Sequence, residues 1–194
     1  MVILFSIYSG HDIILKREVD YMYRFLPDIY QKSIYAINYE NLKNAGIKII
    51  LFDLDNTIAS LSSEVPSKKV RELFEDIKEM GMKPIILSNS PKKRVSPFKE
   101  ELVVDASYFS FKPFKHKYKK IMKIYGVKAS EVAAIGDQLM TDIYGANRMG
   151  FTSILINPIS KIDPFNTKIN RVFENMIIKH FTKRSVFERG KYYE

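Results

Sequence analysis

The sequence predicts an α/β fold, a doubly wound parallel sheet flanked by helices. Three observations carry this expectation. Apolar runs of strand length recur along the chain, beginning with Ile47-Lys-Ile-Ile-Leu-Phe52. Segments of helical spacing separate them, as parallel βαβ units require. Polar and acidic residues stand where several runs end, and open α/β sheets bind ligands at the carboxyl ends of their strands.

Taken in order, Asn38 is placed to cap a short helix through Leu42 that stops at Gly46. Residues 47–53 follow as the first strand, rich in β-branched residues in the manner of a strand buried on both faces. Val70, Leu73, Phe74 and Ile77 fall at helical spacing, which predicts a helix over 65–80 with Pro66 near its start and Gly81 as its stop. Residues 83–88 read as the second strand. A helical stretch interrupted at Pro97 leads to a short third strand over 103–109. A helix over 114–125 ends at Gly126, and Val132-Ala-Ala-Ile135 runs into Gly136-Asp137 as the fourth strand. Residues 139–149 are expected to be helical and 152–156 to form the fifth strand. No internal repeat is visible.

A chain of 194 residues is long enough to bury a sizeable core as one main domain. A hydrophobic fraction of 46% and a charged fraction of 27% are ordinary for a globular protein, and with no cysteine neither disulfides nor thiolate–zinc sites are possible. The opening Met1-Val-Ile-Leu-Phe-Ser-Ile-Tyr8 is apolar but short for a spanning helix and lacks a basic flank. A cytoplasmic protein, soluble or peripheral at the inner face of the membrane, is expected. The excess of 31 Lys+Arg over 22 Asp+Glu, a net charge of +9, favours polyanionic partners: phosphorylated substrates, anionic lipid headgroups or nucleic acid. No nucleic-acid-binding module is recognisable.

Asp53-Leu-Asp55-Asn-Thr57 follows the first strand directly. Two carboxylates at i and i+2 disfavour each other's ionisation unless something positive lies between them, and a divalent cation is the economical candidate. Alone, the segment reads more readily as a solvated turn or as an N-cap Asp opening the next element. Three further signals fall after successive strands: Ser88-Asn89, Lys112-Pro113, and Gly136-Asp137-Gln138 with Asp142.

In order and type, these four segments resemble the motifs of haloacid dehalogenase (HAD) superfamily phosphatases. Phe25-Leu-Pro-Asp28, Lys32-Ser-Ile34, Arg94-Val95, the run Ile135 to Asp142, Gly145-Ala-Asn-Arg148 and Gly150-Phe151 narrow the likeness to the YqeG-type branch of subfamily IIIA, which is similar to mitochondrial phosphatidylglycerophosphate phosphatases. The resemblance implies a HAD-like Rossmannoid fold and a Mg2+-dependent phosphomonoester hydrolase. It implies Asp53 as nucleophile forming an aspartyl-phosphate, Asp55 as general acid and base, and Ser88 and Lys112 holding the phosphoryl oxygens. Asp53, the backbone carbonyl of Asp55 and Asp137 would hold the metal. Asn89 and Asp142 are candidate metal or substrate contacts, the alternatives being loop orientation for Asn89 and a solvated helix turn for Asp142.

The intervals between the segments leave no room for an inserted cap domain, so the site is expected to be open to bulky substrates. Phosphatidylglycerol phosphate is the leading expected substrate. Alternatives are a phosphatase of nucleotides or nucleic-acid ends, and a non-catalytic nucleic-acid-binding protein. The resemblance spans roughly 22–175, so residues 1–21 are read as an extension, 22–165 as the phosphatase domain and 166–194 as an amphipathic helix with a basic tail. In that helix, expected over 167–181, Ile169, Val172, Phe173, Met176, Ile177 and His180-Phe181 make one amphipathic stripe. The stripe could pack on the core or lie on anionic lipid, with Lys183, Arg184 and Arg189 beside it.

Overall fold

Among the described residues six strands form one parallel sheet: β1 (Ile29–Gln31), β2 (Ile49–Phe52), β3 (Lys83–Leu87), β4 (Asp105–Ser107), β5 (Val132–Gly136) and β6 (Thr152–Ile156). Their spatial order is β1-β6-β5-β2-β3-β4. The structure, a computed structural model, describes residues 21–160 and 165–194. The extension expected over residues 1–21 therefore lies, but for Tyr21, outside the described residues. From β2 the chain winds outward through β3 and β4, then returns to β5 and winds the other way to β6. The switch point between β2 and β5 is where the carboxyl ends of a doubly wound sheet open a crevice.

Helices α1 (Tyr39–Asn44), α2 (Lys68–Glu79), α3 (Lys92–Leu102), α4 (His116–Tyr125) and α5 (Tyr144–Met149) cover the sheet, and α6 (Phe165–Lys183) follows β6. Alternate residues of each strand face opposite layers. Ile50, Phe52 and Ile86 meet Phe74 and Ile77 of α2 and Phe98 of α3 on one face. Ile49, Leu51 and Ile85 meet Tyr118 and Ile121 of α4 and Ala146 of α5 on the other. Side chains cap two of the helices: Asn38 accepts from the Asn41 N–H of α1 (3.0 Å) and Ser67 from the Val70 N–H of α2 (3.3 Å). No cap domain interrupts the described residues between β2 and β4.

Four local expectations change. Pro97 lies inside α3 without interrupting it; a proline there removes one intrahelical hydrogen bond, and Val95, Phe98 and Leu102 of α3 are buried against the core. The helix expected over 139–149 opens as a π turn, Leu139–Ile143, in which the Ile143 N–H reaches the Gln138 carbonyl at 3.3 Å. The third strand shortens to three residues. Strand β1 has no counterpart in the sequence reading. Three residues carry little periodicity, and its outer edge is paired by the far end of the chain: Tyr30 and Tyr193 exchange backbone hydrogen bonds of 2.9 Å each.

The carboxyl-terminal helix packs on the core through Ile177, Ile178 and Phe181, joined by Phe187 against Phe25, Tyr30, Leu139 and Leu155. The inward face is rotated from the stripe expected in the sequence. Val172, Phe173 and Met176 point outward and are exposed, while Glu174 is fully buried. Among the described residues no helix is long and apolar enough to cross a membrane.

Candidate active site

Strand register sets the geometry. Phe52 pairs with Ile86 of β3 and with Ile135 of β5, so these three strands end level. The Asp53 N–H extends the ladder by donating to the Ile135 carbonyl at 2.9 Å. Asp53, Ser88 and Asp137 thus line one edge of the sheet, and all three are buried.

Lys112 reaches this edge from the loop after β4. Its Nζ donates to Asp53 Oδ1 and to Asp142 Oδ1, both at 2.6 Å. Asn89 fixes that loop by accepting from the Lys112 N–H at 2.7 Å and donating to the Lys112 carbonyl at 3.2 Å. Ser88 Oγ accepts from the Ser90 N–H at 3.0 Å, which leaves its own hydroxyl proton free for another acceptor.

Asp142 arrives through the π turn, and its carboxylate lies over Gly136. A Cβ built on Gly136 would come within 2.2 Å of Asp142 Cγ, so only glycine allows this approach. The Gln138 N–H donates to Asp142 Oδ2 at 3.2 Å. Asp142 is therefore buried rather than solvated.

Asp55 has a separate set of partners. Its carboxylate accepts from Ser90 Oγ at 2.5 Å and from Arg94 Nε at 2.9 Å. Arg94 also donates to the carbonyls of Ser60 (2.9 Å) and Ser63, clamping the turn after β2 onto α3. Asp55 is thus anchored by Ser90 and Arg94 and is not one of the three clustered carboxylates.

Two residues joined to the site were not read as such in the sequence. Arg171 of α6 donates to the Asp137 carbonyl at 2.8 Å and pairs with its carboxylate through a second nitrogen. It also pairs with Glu174 at 2.9 Å, and Glu174 accepts from the Met140 N–H at 3.3 Å. The available signal was a charged pair at i, i+3 on the same helical face as Ile178 and Phe181, where an apolar residue would be usual. A buried Glu must have a partner, and this one has three, the last being Arg189 at 3.9 Å.

Burial raises the Asp53 carboxyl above its ordinary range against the pull of Lys112, with the Asp142 charge adding to the rise. Asp137 is raised for the same first reason, opposed by Arg171. Burial lowers Lys112, but the Asp142 and Asp53 carboxylates outweigh it and the ammonium is held above the usual lysine range. Three buried carboxylates whose oxygens lie within 4.8 Å of one another therefore share one ammonium and one guanidinium that also serves Glu174. An all-oxygen, net-negative cluster fits a hard divalent cation such as Mg2+. Asp53, Asp137 and Asp142 form this cluster, whereas the Asp55 side chain and Asn89 stand outside it.

The Arg171 contact yields a first expected result. Arg171→Ala leaves Asp137 and Glu174 buried with their main cation gone, and should lower the unfolding free energy by about 3 kcal/mol in urea titration. An unchanged midpoint would mean that α6 does not dock on the site in solution.

Residues 35–150 match the family of haloacid dehalogenase-like hydrolases. The chain is 36% identical to the "Probable phosphatase YqeG" of Bacillus subtilis, over 82% of this chain and 93% of that one. It is 26% identical to the chloroplastic/mitochondrial phosphatidylglycerophosphate phosphatase 1 of Arabidopsis thaliana over 83% of its own length, but spans only about half (49%) of that relative. A solved structure of a hypothetical protein from Xanthomonas campestris shares the fold, with a TM-score of 0.50 at 9% identity, covering 72% of this chain and 79% of that one. With the doubly wound sheet and the acidic cluster at its switch point, these likenesses fix the family: the chain belongs to the haloacid dehalogenase-like hydrolases and is an enzyme of the phosphatase type.

Proposed function

We propose that the protein is a Mg2+-dependent phosphomonoester hydrolase that works through an aspartyl-phosphate on Asp53, with phosphatidylglycerol phosphate as its substrate. The observation that carries the mechanism is the Lys112 ammonium held between Asp53 and Asp142 inside a buried cluster of excess negative charge. Such a cluster is stable with a cation, and a bound phosphoryl group can share that cation's charge.

Asp53, Asp137 and Asp142, with the Asp55 backbone carbonyl, would hold the metal, which supplies charge neutralisation between a carboxylate and a phosphate. Asp53 attacks phosphorus in line with the ester oxygen and forms an acyl phosphate. Asp55, steadied by Ser90 and Arg94, gives a proton to the departing alkoxide and then takes one from the water that hydrolyses the acyl phosphate. Ser88 and Lys112 donate to the equatorial oxygens, where charge develops. Asn89 acts through Lys112 by fixing its loop.

The substrate rests on the lack of a cap domain among the described residues and on what the Arabidopsis relative is named for. A phosphate at a lipid headgroup can enter an uncovered crevice without leaving the bilayer. The basic balance of +9 suits an anionic lipid, and equally suits nucleotides or nucleic-acid ends.

A comparison of phosphatidylglycerol phosphate in mixed micelles with nucleotides, phosphorylated DNA ends and small sugar phosphates separates these readings. The lipid should give the highest kcat/KM, and a chelator should abolish it. Mg2+ should also raise Tm, because a ligand that binds only the folded state stabilises it. A higher kcat/KM on phosphorylated DNA ends would replace the lipid reading with the nucleic-acid one.

A further inference from the structure

We propose that the loop carrying Lys112 is also a membrane-docking surface, a ridge of phenylalanines that inserts into a bilayer rich in anionic phospholipid and sets the catalytic crevice against the headgroups. The proposal rests on the lipid-substrate reading and adds the surface through which that substrate is met.

Between β4 and α4 the chain alternates inward and outward. Ser110 and Lys112 are buried, while Phe109, Phe111 and Phe114 are 46%, 59% and 64% exposed. Phe111 and Phe114 thus flank the residue that grips Asp53. An apolar group of this size beside a crevice is the usual sign of an interaction site rather than of ordinary surface. The Phe109 and Phe111 rings stand 6.4 Å apart at an interplanar angle of 22°, and Phe111 lies 6.3 Å from the His116 ring.

The backbone is held in place at a cost. Phe109 and Phe111 have φ of 44° and 54°, in the left-handed region that bulky residues rarely occupy. Strain of this kind persists only where surrounding contacts enforce it. Here they do: the Phe109 N–H donates to the Ser90 carbonyl and the Ser110 N–H to the Ser88 carbonyl, both at 3.0 Å, and the Phe114 N–H to the Phe111 carbonyl at 2.9 Å. The ridge is therefore stitched to the loop that carries Ser88.

Charge selects the partner. No Asp or Glu occurs between Asp105 and Glu131, or between Glu79 and Glu100, so both loops, the first two turns of α3 and all of α4 carry no acidic side chain. Lys92 and Lys93 are exposed at the start of α3, and Lys115 and Lys117 follow the ridge with partial exposure. Aromatic rings beside lysines are the composition that binds the interface of anionic bilayers, the rings entering the acyl boundary and the cations meeting headgroups. Phenylalanine has no polar handle, so three exposed rings gain most from hydrocarbon. Stacking on nucleic-acid bases, the other use of aromatic and basic residues, is the competing outcome.

The chain contains no tryptophan, which gives a direct probe. In Phe111→Trp, vesicles of phosphatidylglycerol and phosphatidylcholine should shift the single tryptophan emission to the blue, and phosphatidylcholine alone should not. The triple variant Phe109→Ala/Phe111→Ala/Phe114→Ala should co-sediment with the anionic vesicles at least about tenfold more weakly than wild type, as expected for three rings that no longer leave water. Its hydrolysis of p-nitrophenyl phosphate should stay near wild type, which also shows that it folds. An unshifted emission, equal sedimentation of the triple variant, or tighter binding to single-stranded DNA than to the vesicles would each overturn the proposal. If phosphatidylglycerol phosphate is cleaved in micelles but the ridge variants bind vesicles as wild type does, docking alone fails. If the ridge binds vesicles and that lipid is not cleaved, the substrate reading fails and the docking surface stands.

Discussion

Replacing Asp53 with Asn should lower turnover of any phosphomonoester by about 10⁴-fold or more, roughly 5 kcal/mol or more of transition-state stabilisation. The amide has the shape of the carboxylate and can still accept from Lys112, but it is a far weaker nucleophile toward phosphorus. Stability should move the other way. Burial and the Asp142 charge both disfavour an ionised Asp53, so a neutral side chain relieves the cluster. The Asp53→Asn variant should melt no lower than wild type without metal and show a smaller rise in Tm with Mg2+. Thermal melts with and without Mg2+, beside steady-state rates, check both halves. A variant that retains near wild-type, Mg2+-dependent hydrolysis would exclude Asp53 as the nucleophile.

Asp55→Asn should separate the two aspartates. An amide side chain cannot protonate a departing alkoxide, so hydrolysis of an alkyl phosphate should fall by about 10³-fold, in the range of general acid catalysis. The nitrophenolate of p-nitrophenyl phosphate leaves without protonation, and transfer of its phosphoryl group to Asp53 should be largely spared. The acyl phosphate should then accumulate, because Asp55 is also the group placed to activate water. A burst of nitrophenolate followed by slow turnover is the expected trace. Equal losses on the two substrates, without a burst, would remove Asp55 from acid catalysis and leave it the role of anchoring Arg94.

Much of this geometry was legible along the chain because it is written locally. The run ending at Phe52 is long and β-branched, so both the strand and the placement of Asp53 at its end follow from it. Ser88, Lys112 and Asp137 stand after other strands of the same sheet, and parallel pairing in register brings them together. The partners supplied from far along the chain were not legible. Strand β1 is three residues whose edge is closed by Tyr193. The inward face of α6 is decided by Arg171 and Glu174, which turn toward Asp137 and the Met140 N–H and so rotate Val172, Phe173 and Met176 outward. An apolar stripe read by periodicity alone cannot anticipate a buried charged pair. Asp142 lay between these cases, visible as an acid five residues after Asp137 but brought into the cluster only by a π turn over a glycine.

The proposed mechanism passes through a covalent acyl phosphate, which chemical trapping detects. Enzyme mixed with phosphatidylglycerol phosphate and Mg2+, quenched in acid within one turnover and reduced with borohydride, should convert one aspartate to homoserine. Peptide mass spectrometry should place that change at residue 53, with none when Mg2+ is chelated. Efficient turnover with residue 53 unmodified, or with the label on another side chain, would exclude an aspartyl-phosphate on Asp53.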